Sequence, residues 1–128
     1  MDRGRATVPP LGAVPADAHA WESRLWLAQR LSAMVLALCV IVHLVTMIVV
    51  VRHGLSADAI LGRTRGSLAW AAFYVLFVMA VSVHAPIGLR TVLGEWARWR
   101  GRGADAFCAV VAAALLLLGL RAVAAVAL

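Results

Sequence analysis

The stretch "LALCVIVHLVTMIVVV" (residues 36–51) decides the fold of this chain, because it is almost unbroken apolar sequence with one imidazole, His43. A second run, "FVMAVSVHAPIGL" (residues 77–89), has the same character and carries His84. Together with the apolar residues that flank it, each run reaches the roughly 20 residues that cross a bilayer as a helix. The sequence therefore predicts membrane-spanning helices that bury a titratable side chain.

The composition supports a membrane protein. Hydrophobic residues make up 64% of the 128 residues and charged residues 14%, whereas soluble domains are usually about half apolar. Three apolar segments are predicted to span the membrane, at about 25–51, 67–92 and 105–128. Since lipid cannot satisfy exposed backbone groups, we expect an all-α, three-helix transmembrane bundle. An interfacial turn is expected at residues 56–61.

The first 20 residues, "MDRGRATVPPLGAVPADAHA", are rich in proline, alanine and glycine. They lack the apolar core of a signal peptide. We expect a soluble, flexible tail over residues 1–20 and a single transmembrane domain over residues 21–128.

All twelve basic residues are arginines, and they cluster at the ends of the apolar runs. This distribution favours the membrane surface over nucleic acid as the partner, since nucleic-acid binders carry their charge on a solvated face. Eight arginines fall on the side of the membrane that holds the N-terminal tail and the link between the second and third apolar segments, and four fall on the other side. The positive-inside rule then predicts a cytoplasmic N-terminus. The eight are Arg3, Arg5, Arg24, Arg30, Arg90, Arg98, Arg100 and Arg102.

The two histidines are predicted to lie at different depths. Each is displaced by roughly 7 Å from the centre of its helix toward the C-terminal end. Consecutive helices run antiparallel, so His43 and His84 differ in depth by about 14 Å. They cannot both bind one iron, because a ligand nitrogen lies only about 2 Å from its metal. If each binds a cofactor, its second ligand comes from elsewhere.

The residues that share a face with each histidine suggest a site. A helical projection groups Gln29, Ser32, Leu36, Cys39 and Thr46 with His43, and Phe73, Phe77, Ala80 and Gly88 with His84. The small Ala80 and Gly88 leave room either for a flat macrocycle or for close helix packing. A carbonyl one turn back, that of Cys39 or Ala80, is available to each imidazole.

Histidine on a helix in an apolar bundle is a usual ligand of b-type haem. The simpler interpretation is a neutral histidine hydrogen-bonded to a neighbouring helix. The two cysteines, Cys39 and Cys108, lie inside apolar runs and are expected to be small buried residues.

Two motifs resemble those of the cytochrome b membrane subunits of succinate dehydrogenases and fumarate reductases. The sequence "WLAQRLSAMVLALCVIVHL" is similar to the family's first helix, with Ala33 in place of the glycine of its "R-x-S-G" opening. "VHAPIGLRTVLGEW" resembles the second-helix motif, in which a haem-ligating histidine, here His84, is followed by Gly-Leu-Arg and an acidic residue. The presence of His43 resembles one half of the diheme type, in which two helical halves each contribute one histidine to each of two haems.

The resemblance implies a membrane-anchor cytochrome b that passes electrons between a cytoplasmic flavoprotein and iron–sulfur dicarboxylate oxidoreductase and membrane quinone. It implies two b haems per pair of three-helix units, ligated by His84 and His43, and a partner that is a second copy or a sister subunit. It also implies a multi-pass protein of a bacterial inner membrane. Haem-pocket packing is expected from Phe73, Phe77, Ala80, Gly88 and Cys39.

Polar residues near the boundaries are further candidates. Arg30, Arg90 and Arg121 are candidates for haem propionates or for docking, with snorkelling to lipid phosphates as the simpler role. Gln29 and Ser32 are quinone-site candidates. A different class, a haem-free anchor or assembly protein, needs the arginines but neither histidine. A small transporter or proton-path protein would favour carboxylates inside the spans, and none lies between Glu22 and Asp58.

Overall fold

The computed structural model describes residues 16–54 and 56–127. Its helices are α1 (Ala16–Arg52), α2 (Ala57–Thr64), α3 (Leu68–Glu95) and α4 (Arg102–Ala127), and the described residues contain no strand. Of these, α1, α3 and α4 are long and apolar enough to cross a membrane. The predicted all-α bundle of three spanning helices is confirmed, while its orientation stays a prediction.

The helices extend beyond the predicted apolar segments. Helix α1 begins at Ala16 instead of near residue 25, and α3 continues to Glu95. Hydropathy locates the lipid boundary, but a helix continues past that boundary where alanine-rich sequence favours it, as in "ADAHA". Residues 16–20 of the predicted tail therefore belong to α1, and residues 1–15 lie outside the described residues.

The short helix α2 lies where an interfacial turn was expected. The Ser56 side chain caps it by accepting a hydrogen bond from the Ala59 amide at 3.1 Å. At its far end the Thr64 hydroxyl is 3.0 Å from the carbonyl oxygens of Ile60 and Val126, and the Gly66 amide donates to the Ala127 carbonyl at 3.0 Å. This end of the bundle thus ties the link before α3 to the last turn of α4.

Helix α3 lies in the middle of the bundle. It packs against α1 on one side and α4 on the other, whereas α1 and α4 make little contact with each other. Gly119 lets α4 approach α3 closely, because a Cβ at that position would lie 2.6 Å from Cγ1 of Val78. The bundle is a row of three helices with α3 at its centre.

The opposite end of the bundle is joined by ion pairs. The Nε atom of Arg90 in α3 donates to Oδ1 of Asp105 in α4 at 2.7 Å, and Nη1 of Arg90 lies 3.8 Å from Oε1 of Glu22 in α1. One guanidinium therefore contacts all three spanning helices.

Most large apolar side chains point outward, as the lipid environment requires. Met34 and Leu38 on α1 and Leu117 on α4 are about two-thirds exposed. The buried positions within the described residues are small, and they include both thiols, Cys39 and Cys108, as the sequence predicts.

Candidate functional site: the seam between α1 and α3

The face of α1 that carries His43 packs against α3. The imidazole of His43 stacks on the ring of Phe77, with centroids 6.5 Å apart and planes 15° apart. The ring of Tyr74 meets it edge-on, with centroids 6.4 Å apart. These contacts orient the His43 ring, which stays exposed at the edge of the bundle.

The second histidine lies on the same face of α3, farther along the seam. His84 is one turn from Ala80 on one side and from Gly88 on the other. Since His43 lies level with Phe77, seven residues from His84, the two imidazoles are separated by about 10 Å along α3. They lie at different levels, in the direction that the depth argument requires.

Gly88 marks the other end of the seam, where α1 again contacts α3. A Cβ on Gly88 would lie 3.2 Å from Nε2 of Gln29. Ala80 is buried, 7% exposed. Within one chain, the small size of Gly88 therefore serves close packing against α1, which is one of the two roles that the sequence leaves open.

Most polar side chains in the spanning helices form hydrogen bonds to backbone carbonyls of their own helix. Ser32, Thr46 and Thr91 donate to the carbonyl four residues back, and Nδ1 of the exposed His53 lies 2.7 Å from the Val49 carbonyl oxygen in the same way. His84 does not follow this pattern. Its Nδ1 atom is buried without a partner in the described part of the chain, so it does not bond to the Ala80 carbonyl that the sequence makes available.

Two further buried side-chain atoms in residues 16–54 and 56–127 lack a partner. They are Oε1 of Gln29 and Oγ of Ser82. Ser82 precedes Pro86 by one turn, and Pro86 has no amide hydrogen to offer the Ser82 carbonyl. Periodicity gives the face of each residue but not its hydrogen bonds, so the sequence carries no signal for these unpartnered atoms.

The two quinone-site candidates have different surroundings. Ser32 is 7% exposed, and its hydroxyl is engaged by the carbonyls of Ala28 at 2.7 Å and Gln29 at 3.0 Å. Gln29 instead lies between two grooves. One, of about 480 Å³, runs along α1 past Trp26 and Arg30, and the other, of about 190 Å³, opens toward α3 beside Arg90 and Thr91. Of the two candidates, only Gln29 has a buried polar atom, Oε1, without a hydrogen-bond partner in the described residues.

The three candidate arginines lie in different surroundings. Arg30 lies over the ring of Trp26 at 5.5 Å, beside the larger groove. Arg90 is held by Asp105 and Glu22, which leaves it engaged within the bundle. Arg121 is exposed on α4, which has little contact with α1 and so lies away from His43.

The aromatic residues of α3 form one cluster. Phe73 meets the rings of Trp70 and Tyr74 edge-on, with centroids 5.8 and 5.3 Å apart. Of the predicted packing residues, Phe77 contacts a histidine directly and Phe73 reaches it through Tyr74. Tyr74 itself was missed, although its position three residues before Phe77 places it on the same side of α3.

A comparison with known families gives an independent result. The sequence profile of the succinate dehydrogenase/fumarate reductase transmembrane subunit matches residues 1–120. The chain belongs to this family. No curated protein and no solved structure matches it significantly. As a succinate dehydrogenase/fumarate reductase transmembrane subunit with three spanning helices, it is a multi-pass membrane protein.

The seam of this transmembrane subunit fits a haem ligand at His84. An iron held in a porphyrin takes only its axial ligands from the protein, and a ligating imidazole needs a partner for its other nitrogen. His84 is half-buried on an apolar helix, with one nitrogen unclaimed by its own backbone. No group of three or more His, Cys, Asp and Glu side chains converges in the described ranges, so a bare metal ion has no multidentate site there.

Proposed function

We propose that this chain is a membrane-anchor cytochrome b. It passes electrons between a cytoplasmic flavoprotein and iron–sulfur dicarboxylate oxidoreductase and membrane quinone. Family membership supports the anchor role. The observation that carries electron transfer is the placement of His84 and His43 at two levels of one helix seam, with Nδ1 of His84 not bonded to its own backbone.

Each histidine has a separate role in this proposal. His84 holds a haem at the level nearer the arginine-rich end, and His43 holds one nearer the opposite face. When bound, haem b supplies a one-electron carrier at each level. Phe77 and Tyr74 fix the plane of the His43 ring.

A second three-helix unit would supply the further histidines that hold each haem. A two-fold axis along the membrane normal brings each histidine to its counterpart without a change of depth. The exposure of His43 at the edge of the bundle supports this arrangement, as does the position of α4 on the far side of α3. A sister subunit with equivalent histidines satisfies the same geometry.

Quinone reacts beside the start of α1 in this proposal. The groove along Trp26, Gln29, Arg30 and Met34 is open and mostly apolar, with a guanidinium and an amide at its rim. Such a groove suits a flat ring that carries two carbonyl acceptors. The eight arginines on this side support a cytoplasmic docking surface for the catalytic subunits.

The test is the haem content of the purified complex. We expect b-type bands in the reduced-minus-oxidised optical spectrum and two haems per pair of three-helix units. Absent bands in a complex that keeps its catalytic subunits would support a haem-free anchor instead. One haem per pair of three-helix units would show that haem binds at only one of the two histidine levels.

A further inference from the structure

We infer that Gln29 is the hydrogen-bond partner of the His84 imidazole, directly or through one water molecule, and that it positions and tunes this ligand. The inference rests on the proposed haem ligation by His84. It assigns to Gln29 a role toward the haem ligand in addition to its place beside the quinone groove.

Two buried atoms on the same seam carry the inference. Oε1 of Gln29 and Nδ1 of His84 are both buried, and neither has a partner in the described residues. A buried polar atom without a partner costs about 1–3 kcal/mol. Two such atoms on one helix interface are therefore expected to be satisfied jointly.

The spacing along α3 is short enough. The Gln29 amide lies against Gly88, with Nε2 3.2 Å from the Cβ position. His84 is one turn away from Gly88 on the same face, a rise of about 6 Å. One water with two hydrogen bonds of about 2.8 Å spans up to about 5.6 Å. Because this reach is slightly shorter than the rise, the Gln29 amide must also turn toward His84 for a single water to join the two groups.

The chemistry of the two atoms is complementary. When Nε2 of His84 binds iron, the proton of the imidazole resides on Nδ1, which becomes a donor. Oε1 of Gln29 is an acceptor without a donor. A hydrogen bond from Nδ1 makes an imidazole a stronger electron donor to its metal and fixes its orientation. Stronger donation favours ferric over ferrous iron, so Gln29 lowers the midpoint potential of the His84 haem.

The other polar groups on this seam already make hydrogen bonds as donors. The Ser32 hydroxyl is engaged by the carbonyls of Ala28 and Gln29. The Thr91 hydroxyl, on the same face of α3 as His84, donates to the Ile87 carbonyl at 3.2 Å. Ser82 lies on a different side of α3, beside Pro86 and Cys108. Among the groups that this seam offers to His84, Gln29 is thus the one whose buried acceptor atom makes no hydrogen bond at all in the described residues.

The experiment compares Gln29→Leu and Gln29→Glu in the assembled complex, with Thr91→Val as the matched control. Midpoint potentials and the low-spin ferric EPR signal of each haem are measured. We expect Gln29→Leu to raise the potential of one haem and weaken its retention by about 10- to 100-fold. Gln29→Glu restores an acceptor and should bring the potential back to or below the wild-type value. Thr91→Val should leave both haems unchanged.

The outcomes separate the inference from the proposed function. If His84→Ala removes one haem while Gln29→Leu leaves its potential and EPR signal unchanged, Gln29 has no such role and the function stands. The same holds if Gln29→Leu and Gln29→Glu shift the potential equally in one direction, as a packing defect would. If His84→Ala keeps both haems, the proposed ligation is wrong, and the inference falls with it.

Discussion

The Cβ position of Gly119 lies 2.6 Å from Cγ1 of Val78, so α4 rests on α3 at a point where a methyl group has no space. The corresponding contact of Gly88 is looser and meets the end of a flexible side chain, Nε2 of Gln29 at 3.2 Å. The two glycines therefore differ in what an added methyl group would displace.

We expect Gly119→Ala to lower the free energy of unfolding by about 1–3 kcal/mol, the usual cost of overpacking. Gly88→Ala should cost clearly less, because the Gln29 amide can move aside. Unfolding in mixed detergent micelles, followed by loss of helical circular dichroism, gives both values. Gly62→Ala is the control, since nothing lies within 4 Å of its Cβ position. Equal losses at Gly88 and Gly119 would contradict the packing described for α4.

The ion pairs of Arg90 are predicted to be unequal. Asp105→Asn removes the negative charge from the 2.7 Å contact and should lower the unfolding free energy by roughly 0.2–1 kcal/mol, the range for exposed pairs. Glu22→Gln removes the charge from a longer contact of 3.8 Å and should cost less. Salt should shrink both effects by screening. A larger loss for Glu22→Gln than for Asp105→Asn would show that Arg90 holds α1 more firmly than α4.

The histidine variants test the two-level arrangement. His84→Ala and His43→Ala should each remove one of two potentiometrically distinct haems, and a different one in each case. His53→Ala is the control, because His53 is exposed at the end of α1 and its Nδ1 lies 2.7 Å from the Val49 carbonyl oxygen. Redox titration of the optical bands provides the measurement. If His43→Ala leaves both potentials unchanged, His43 is a packing residue against Phe77.

Disulfide crosslinking tests how two units pair. In a background with Cys39→Ala and Cys108→Ala, we expect Val40→Cys to join two units efficiently, since Val40 is exposed on α1 beside the His43 face. Leu117→Cys on the exposed side of α4 should crosslink poorly. The measurement is the fraction of dimer on a non-reducing gel after mild oxidation. Strong crosslinking through Leu117→Cys and none through Val40→Cys would place α4 at the interface.

The sequence predicts the spanning helices well because lipid imposes a length and a composition on them. It also predicts a turn at residues 56–61, where the structure has the short helix α2. It misplaces the start of α1, since nothing in hydropathy ends a helix at the membrane surface. The ion pair from Arg90 to Asp105 was missed for a related reason, because it depends on how α3 and α4 meet.

The sequence predicts the helix face on which each site residue lies, but not the contacts that the residue makes. Helical periodicity places His43 with Gln29 and His84 with Gly88, and the seam between α1 and α3 follows these faces. Rotamers and tertiary contacts decide the rest. Because of them, Nδ1 of His84 makes no hydrogen bond to the Ala80 carbonyl, and the Ser32 hydroxyl donates to a carbonyl of its own helix. They also place the Tyr74 ring against His43.

The central place of α3 bears on how the chain enters the membrane. When the most apolar 18-residue stretches of the three spanning helices are compared, that of α3 has the lowest mean hydropathy and that of α1 the highest. Helix α3 carries Ser82, His84 and Pro86, and it is synthesised after α1 and before α4. When α3 leaves the ribosome, α1 already offers it one packing surface, and the second arrives only with α4. Helix α3, with its intramembrane serine, histidine and proline, can thus pack first against a neighbour made earlier and then against one made later.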